Sequence, residues 1–263
     1  AAFFAIAASA AGFGWWRATR GETATSAVPL QFTLDVPDGA RVSATWHSLG
    51  ISSAARRVAF VAQDSASVPR VYVRAFDDVR AQRLDGTEGV EELFFSPDGS
   101  WIAFAANGKL KKVRASGGNV EFLADIRTPR GGHWATNGSI YLGDAGRIVV
   151  IPENGGATTT LRPLVEQGRL AQSPRLLDDG ETLLFTDWAG TSANARLMAY
   201  SLTADSVTSL GVGGSRVLGV RDGLLIYGDE RGAVYGASYN VNSRSVTGQS
   251  RIMSQAVASD QGV

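Results

Sequence analysis

The sequence predicts an all-β fold built from repeated four-stranded antiparallel units, and three observations carry that expectation. A period of about forty residues runs through most of the 263-residue chain. Glycine turns separate short β-branched and aromatic runs, and 31 glycines in 263 residues stand well above the usual share of about 7%. Between residues 40 and 250 no apolar pattern keeps the 3.6-residue period of a helix.

The period is clearest at FFSPDGSWIAF, residues 94–104, an apolar run, a Ser-Pro-Asp-Gly turn and a second apolar run. Weaker copies begin at Ile51, His133, Pro174 and Leu218. Their turn positions, Ala55, Gly99, Gly138, Gly180 and Gly223, are spaced 44, 39, 42 and 43 residues apart. Within the second unit Pro97 fixes φ, Asp98 tolerates the next conformation and Gly99 suits the last position of a type I turn. Asn107-Gly108 then signals a tight hairpin. A third strand follows from Lys109 to about Ala115, and a fourth over Val120 to Asp125. The third strand recurs from Val71, Ile148, Leu197 and Val234. Four antiparallel strands in about forty residues, repeated, predict the blades of a β-propeller.

Five units are recognisable, at about 43–85, 90–125, 131–162, 172–211 and 215–248. LQFTLDV, residues 30–36, predicts a lone strand before them, and SQAVAS from Ser254 the opening strand of a sixth blade. The expectation is a six-bladed propeller over 30–263 with its last blade incomplete. The chain is then a fragment.

Before it, residues Ala1 to Trp16 carry no charge and are followed by Arg17 and Arg20. Sixteen helical residues rise roughly 24 Å, short of the ~30 Å hydrocarbon core. This predicts a truncated transmembrane helix over 1–20, with Trp15 and Trp16 as an interfacial belt, and a linker over 21–29. A signal peptide cleaved near Ala8-Ser9-Ala10 is the alternative. The two place the propeller on the extracytoplasmic side of a single-pass membrane protein or free in a periplasm.

Composition excludes several chemistries. Lys+Arg and Asp+Glu both total 25, which gives no surface for nucleic acid. There is no cysteine and only two histidines, His47 and His133, so thiolate zinc sites, disulfides and cysteine nucleophiles are excluded. No Gly-x-Ser-x-Gly elbow occurs, since Gly213-Gly214-Ser215-Arg216-Val217 lacks the last glycine. No phosphate-cradling loop and no kinase motif is present. Asp178-Asp179-Gly180-Glu181 lacks the ligand spacing of a calcium loop. No catalytic residue, metal or cofactor is expected of this chain. Lys109, Lys111, Lys112 and Arg114 read as a solvated outer face.

The run from Gly86 to Gly118, with RGGHW at Arg130 to Trp134, resembles the TolB-like propellers with Ser-Pro-Asp-Gly repeats. Within that group it most resembles the outer propeller of bacterial receptor-type serine/threonine protein kinases. The first unit departs at Ser53, Ala54 and Ala55, and the third at Thr136 and Asn137. The resemblance implies a non-catalytic sensor or protein-interaction propeller, any kinase activity belonging to sequence outside these residues. A periplasmic propeller binding envelope proteins and the lid of a prolyl-oligopeptidase-like peptidase are the alternatives. In propellers the blade connections and the loops between second and third strands share one face. Here that face is expected to carry Glu91, Glu92, Arg127, Arg130, His133, Trp134, Arg169 and Trp188 as contacts for a protein or peptide, on the rule that loops on a rigid scaffold carry function.

Overall fold

The computed structural model describes residues 40–43, 47–63, 67–229 and 231–254. They form five antiparallel blades, four of them four-stranded and the first five-stranded because two short strands share its innermost position. Blade I comprises β1 (Arg41–Val42), β2 (Leu49–Ser52), β3 (Arg57–Gln63), β4 (Pro69–Ala75) and β5 (Gln82–Arg83). Its innermost position is shared by β1 and β2, both paired with β3. Blade II is β6 (Val90–Phe95), β7 (Trp101–Ala106), β8 (Lys109–Arg114) and β9 (Glu121–Asp125). Blade III is β10 (Pro129–Trp134), β11 (Ser139–Asp144), β12 (Arg147–Pro152) and β13 (Thr159–Thr160). Blade IV is β14 (Leu170–Leu176), β15 (Thr182–Trp188), β16 (Arg196–Ser201) and β17 (Ser206–Ser209). Blade V is β18 (Arg216–Arg221), β19 (Leu224–Gly228), β20 (Val234–Asn240) and β21 (Ser245–Ser254).

The expected sixth blade is corrected by this topology. Ser254 is the last residue of β21, the fourth strand of blade V, and does not open a new sheet. Two register irregularities against β20 carry that strand to ten residues, which takes in Ser254; the residues after it lie outside the described residues. The N-terminal apolar helix over 1–20, the linker and the lone strand over 30–36 lie outside the described residues. Among the described residues the helical structure is the 3-10 turn Ser192–Asn194, and no helix is long and apolar enough to cross a membrane.

The turns explain the repeat. In blade II the Ser96 hydroxyl and the Ser100 backbone N–H donate to Asp98 Oδ1 at 2.6 and 3.0 Å, and the Ser100 hydroxyl donates to Oδ2 at 2.7 Å. Those donors, the Ser100 hydroxyl first, hold the Asp98 carboxyl down to about 2. Asn137 and Asp179 accept from the backbone in the same way in blades III and IV. In blade I, Ala55 does not take the left-handed conformation of Gly99 (φ 70°). Arg56 takes it instead, at φ 49°, because a Cβ disfavours that region unless the loop compels it.

Side-chain alternation builds the core. Along β7, Ile102, Phe104 and Ala106 face blade I while Ala103 and Ala105 face blade III, as a period of two requires. Four buried apolar layers result, between blades I and II, II and III, III and IV, and IV and V. Alternation also corrects the solvated-face expectation for β8. Lys112 is buried, donates to the Glu153 backbone carbonyl at 2.8 Å, and lies 4.7 Å from the Trp101 ring centroid and 6.0 Å from that of Trp134. Its stem shares the face of Leu110, and the aromatic rings accept its charge.

Candidate functional site in the axial channel

The first strand of each blade carries an interruption. β6 is bulged between Val90 and Glu92, β10 between Pro129 and Gly132, β14 between Gln172 and Arg175, and β18 between Val217 and Gly219. In blade I the break between β1 and β2 takes that place. A bulge resets the pleat and re-aims side chains, and here it turns polar groups toward the axis. His47 (φ 66°), Gly131 (φ 83°) and Ser173 (φ 50°) adopt left-handed conformations at these breaks.

His47 touches every other blade. Its carbonyl accepts the Leu93 N–H of blade II at 3.1 Å. Its ring packs on Gly131 of blade III, where an added Cβ would lie 2.8 Å from His47 Cε1. Nε2 is 3.4 Å from Ser173 Oγ in blade IV, and Arg216 of blade V donates to Nδ1 at 3.5 Å. Because a guanidinium only donates, Nδ1 is the acceptor and Nε2 carries the proton. Burial first, then the charges of Arg216 and Arg130, hold the imidazole down to about 3.

Two chambers of the channel meet at the His47 ring, which both share. The inner one, about 860 Å³, is lined by first-strand residues of all five blades and includes His47, His133, Ser173, Arg175, Ser215 and Arg216. The outer one, about 440 Å³, shares His47, Ser173 and Ser215 and opens among Glu92, Arg127, Arg130 and Trp188. Its walls combine starts of first strands with the β3–β4 and β15–β16 ends, the face expected from the strand order.

Five of the expected contacts, Glu91, Glu92, Arg127, Arg130 and Trp188, are thus brought together at the outer chamber. Glu92 is buried, and its Oε2 accepts the Gly131 N–H at 2.8 Å while Oε1 finds no partner among the described residues. Burial, reinforced by Glu91, pushes its carboxyl up to about 7. His133 lies in the inner chamber instead. Its Nδ1 accepts the Leu176 N–H at 3.1 Å, and burial holds it down to about 3. Trp134 also borders that chamber but is buried, its Nε1–H donating to Glu153 at 3.0 Å. Arg169 lines neither chamber. It donates to Asp187 Oδ1 at 2.5 Å and to the Asn194 carbonyl at 3.0 Å, bracing blade IV.

His47, Ser173, Arg175 and Arg216 were not among the residues expected from sequence. Superposing the repeats on their turn residues and reading seven to eight positions upstream would have collected His47, Glu92, Arg130 and Ser173. The bulges hide that register from an alternation pattern.

The Ser173–His47 pair differs from a serine nucleophile and its base. A histidine that activates serine presents an unprotonated Nε2 with a carboxylate on Nδ1, whereas here a guanidinium occupies Nδ1 and Nε2 donates. Among the described residues no group of three or more His, Asp or Glu side chains is placed to hold a metal ion.

No family model matches the sequence, and no curated protein resembles it closely enough to count as a relative. Solved structures do resemble the fold. A putative TolB from Agrobacterium tumefaciens is 13% identical with a TM-score of 0.59, the match covering 78% of this chain and 79% of that one. TolB from Acinetobacter baumannii is 16% identical with a TM-score of 0.58, over 73% of this chain and 51% of that one, so the chain spans about half its length. A nidogen/laminin complex gives 14% identity and a TM-score of 0.58, over 77% of this chain and 78% of that one. The fold is a TolB-like β-propeller. At these identities the likeness is one of architecture.

Proposed function

We propose that this chain is a non-catalytic, extracytoplasmic propeller that binds a protein or peptide at the outer chamber, as the outer domain of a membrane-anchored serine/threonine protein kinase. The observation that carries the binding role is the mouth itself. Glu92, Arg127, Arg130 and Trp188 converge on a cavity at one end of a rigid channel, and Trp and Arg are the residue types that dominate protein-binding energetics. The non-catalytic role is supported by the His47 tautomer, which leaves Ser173 without a base. Support for the kinase connection is the resemblance of residues 86–118 and 130–134. The likeness to two TolB structures favours a second assignment, a periplasmic TolB-type propeller bound to an envelope protein.

The test is photo-crosslinking from single positions of the whole chain in envelope extracts. Crosslinkers at Arg127, Arg130 and Trp188 are expected to capture one common protein, confirmed by reciprocal capture, and crosslinkers at Gly118 and Phe122 are not. Capture equally from all five positions, or from none, overturns the mouth as the binding face. Sequencing the reading frame past both ends separates the two assignments. An upstream catalytic loop with its Asp-Phe-Gly motif supports the kinase, and an export signal without one supports the periplasmic protein.

A further inference from the structure

We infer that the inner chamber is a carboxylate-binding site, filled by acidic side chains of the peptide that the outer mouth admits, an inference that rests on the protein-binding role proposed above. The chamber holds two half-buried guanidiniums, Arg175 on β14 and Arg216 on β18. Among the described residues neither forms an ion pair with a carboxylate, and the Arg175 side chain makes no hydrogen bond. Arg175 reaches across to blade V, where an added Cβ at Gly219 would lie 3.5 Å from its Nε.

The carboxylates nearby do not answer these charges. Asp229 borders the chamber, but its Oδ1 accepts the Arg231 and Ala233 N–H groups and its Oδ2 the Tyr235 hydroxyl. Asp178, whose field reaches Arg175, is exposed. His47 and His133 stay neutral, and with Nδ1 accepting from Leu176 the proton of His133 sits on Nε2 as a further donor. Cationic donors gathered in a chamber with no carboxylate partner favour an anion there, and guanidinium forks fit carboxylates.

The planar guanidinium forks match the two oxygens of a carboxylate. The remaining wall includes Leu93, Phe94, Phe95 and Val217, surface suited to the methylenes of a peptide.

The experiment is calorimetric titration of the whole chain with four probes: a blocked six-residue peptide containing three Glu, its Gln counterpart, citrate and inorganic phosphate. The Glu peptide is expected to bind at least about tenfold more tightly than the Gln peptide, with the preference shrinking as salt rises. The double substitution Arg175→Met and Arg216→Met should abolish that preference, while Arg175→Lys with Arg216→Lys keeps part of it at an unchanged unfolding midpoint. Trp188→Ala should weaken both peptides and leave their ratio unchanged. Equal binding of the two peptides overturns the chamber site while leaving the mouth proposal standing. Citrate binding with both peptides silent overturns the peptide occupant, and phosphate binding ahead of citrate overturns the carboxylate assignment.

Discussion

The layers between blades and the lining of the channel are made from neighbouring strands, yet they are built on opposite rules. Along β7 and β15 every second side chain enters a dry layer, so Ile102, Phe104, Leu183 and Phe185 are fully buried among apolar neighbours. Along the first strands a bulge breaks that alternation, and the groups that reach the axis are His47, Glu92, Ser173, Arg175 and Arg216. The layers hold the ring through apolar area removed from water. In the channel, polar and charged groups are kept partly dehydrated and unevenly satisfied, which suits a surface meant to receive something.

Perturbing the two regions should separate these roles. Phe104→Ala empties the layer between blades I and II and is expected to cost about 3–5 kcal/mol of stability, read from the urea midpoint. No channel substitution should approach that value.

Acid should act first through the channel, the lowered Asp98 carboxyl of the blade II turn adding its loss as pH falls from 3.8 toward about 2. His47 and His133 have folded values lowered to about 3 from 6.5, so the stability they contribute is complete above pH 6.5 and is lost as pH falls toward 3. Glu92, raised from 4.5 to about 7, works oppositely, and its contribution is complete below pH 4.5 and lost as pH rises to 7. Two histidines outweigh one glutamate. The net expectation is a loss of about 3 kcal/mol between pH 7 and pH 4, steeper in Glu92→Gln, measured as the urea midpoint against pH. A flat profile would mean that water reaches His47 and His133.

Gly131→Ala sharpens the comparison from the backbone side. Its φ of 83° and the His47 ring and Ser173 Cα within 3 Å of an added Cβ should cost about 1–3 kcal/mol. The His47 ring resonances should shift while the signals of the Phe104 layer stay in place. Smallest is Trp188→Ala at the mouth, expected to change stability by no more than about 0.5 kcal/mol while weakening partner capture.

The layers were legible in the sequence because the period of two survives in the second and third strands of every unit. The turns were legible wherever a side-chain acceptor and glycine coincide, as at Asp98-Gly99 and Asp179-Gly180. Blade I was harder, since Ala55 occupies the glycine position and the left-handed residue moved to Arg56. The sixth blade was misread because Ser254, taken as its first residue, is the end of β21 paired with Val234, a long-range pairing that no local pattern shows. Of the site, the mouth could be anticipated from strand order, which places Glu92, Arg127, Arg130 and Trp188 on one face. Trp134 and Arg169 could not be told from mouth residues, because their partners Glu153 and Asp187 lie 19 and 18 residues away in the chain.

By itself the sequence determined the blade, its length, its turns and its alternating faces, since these depend on backbone conformation and on neighbours within about ten residues. Only the tertiary structure decided what the ring encloses. His47 is set against Gly131, Ser173 and Arg216 by contacts spanning 84, 126 and 169 residues. Its tautomer, its depressed basicity and the meeting of the two chambers at its ring exist only once all five first strands have come together.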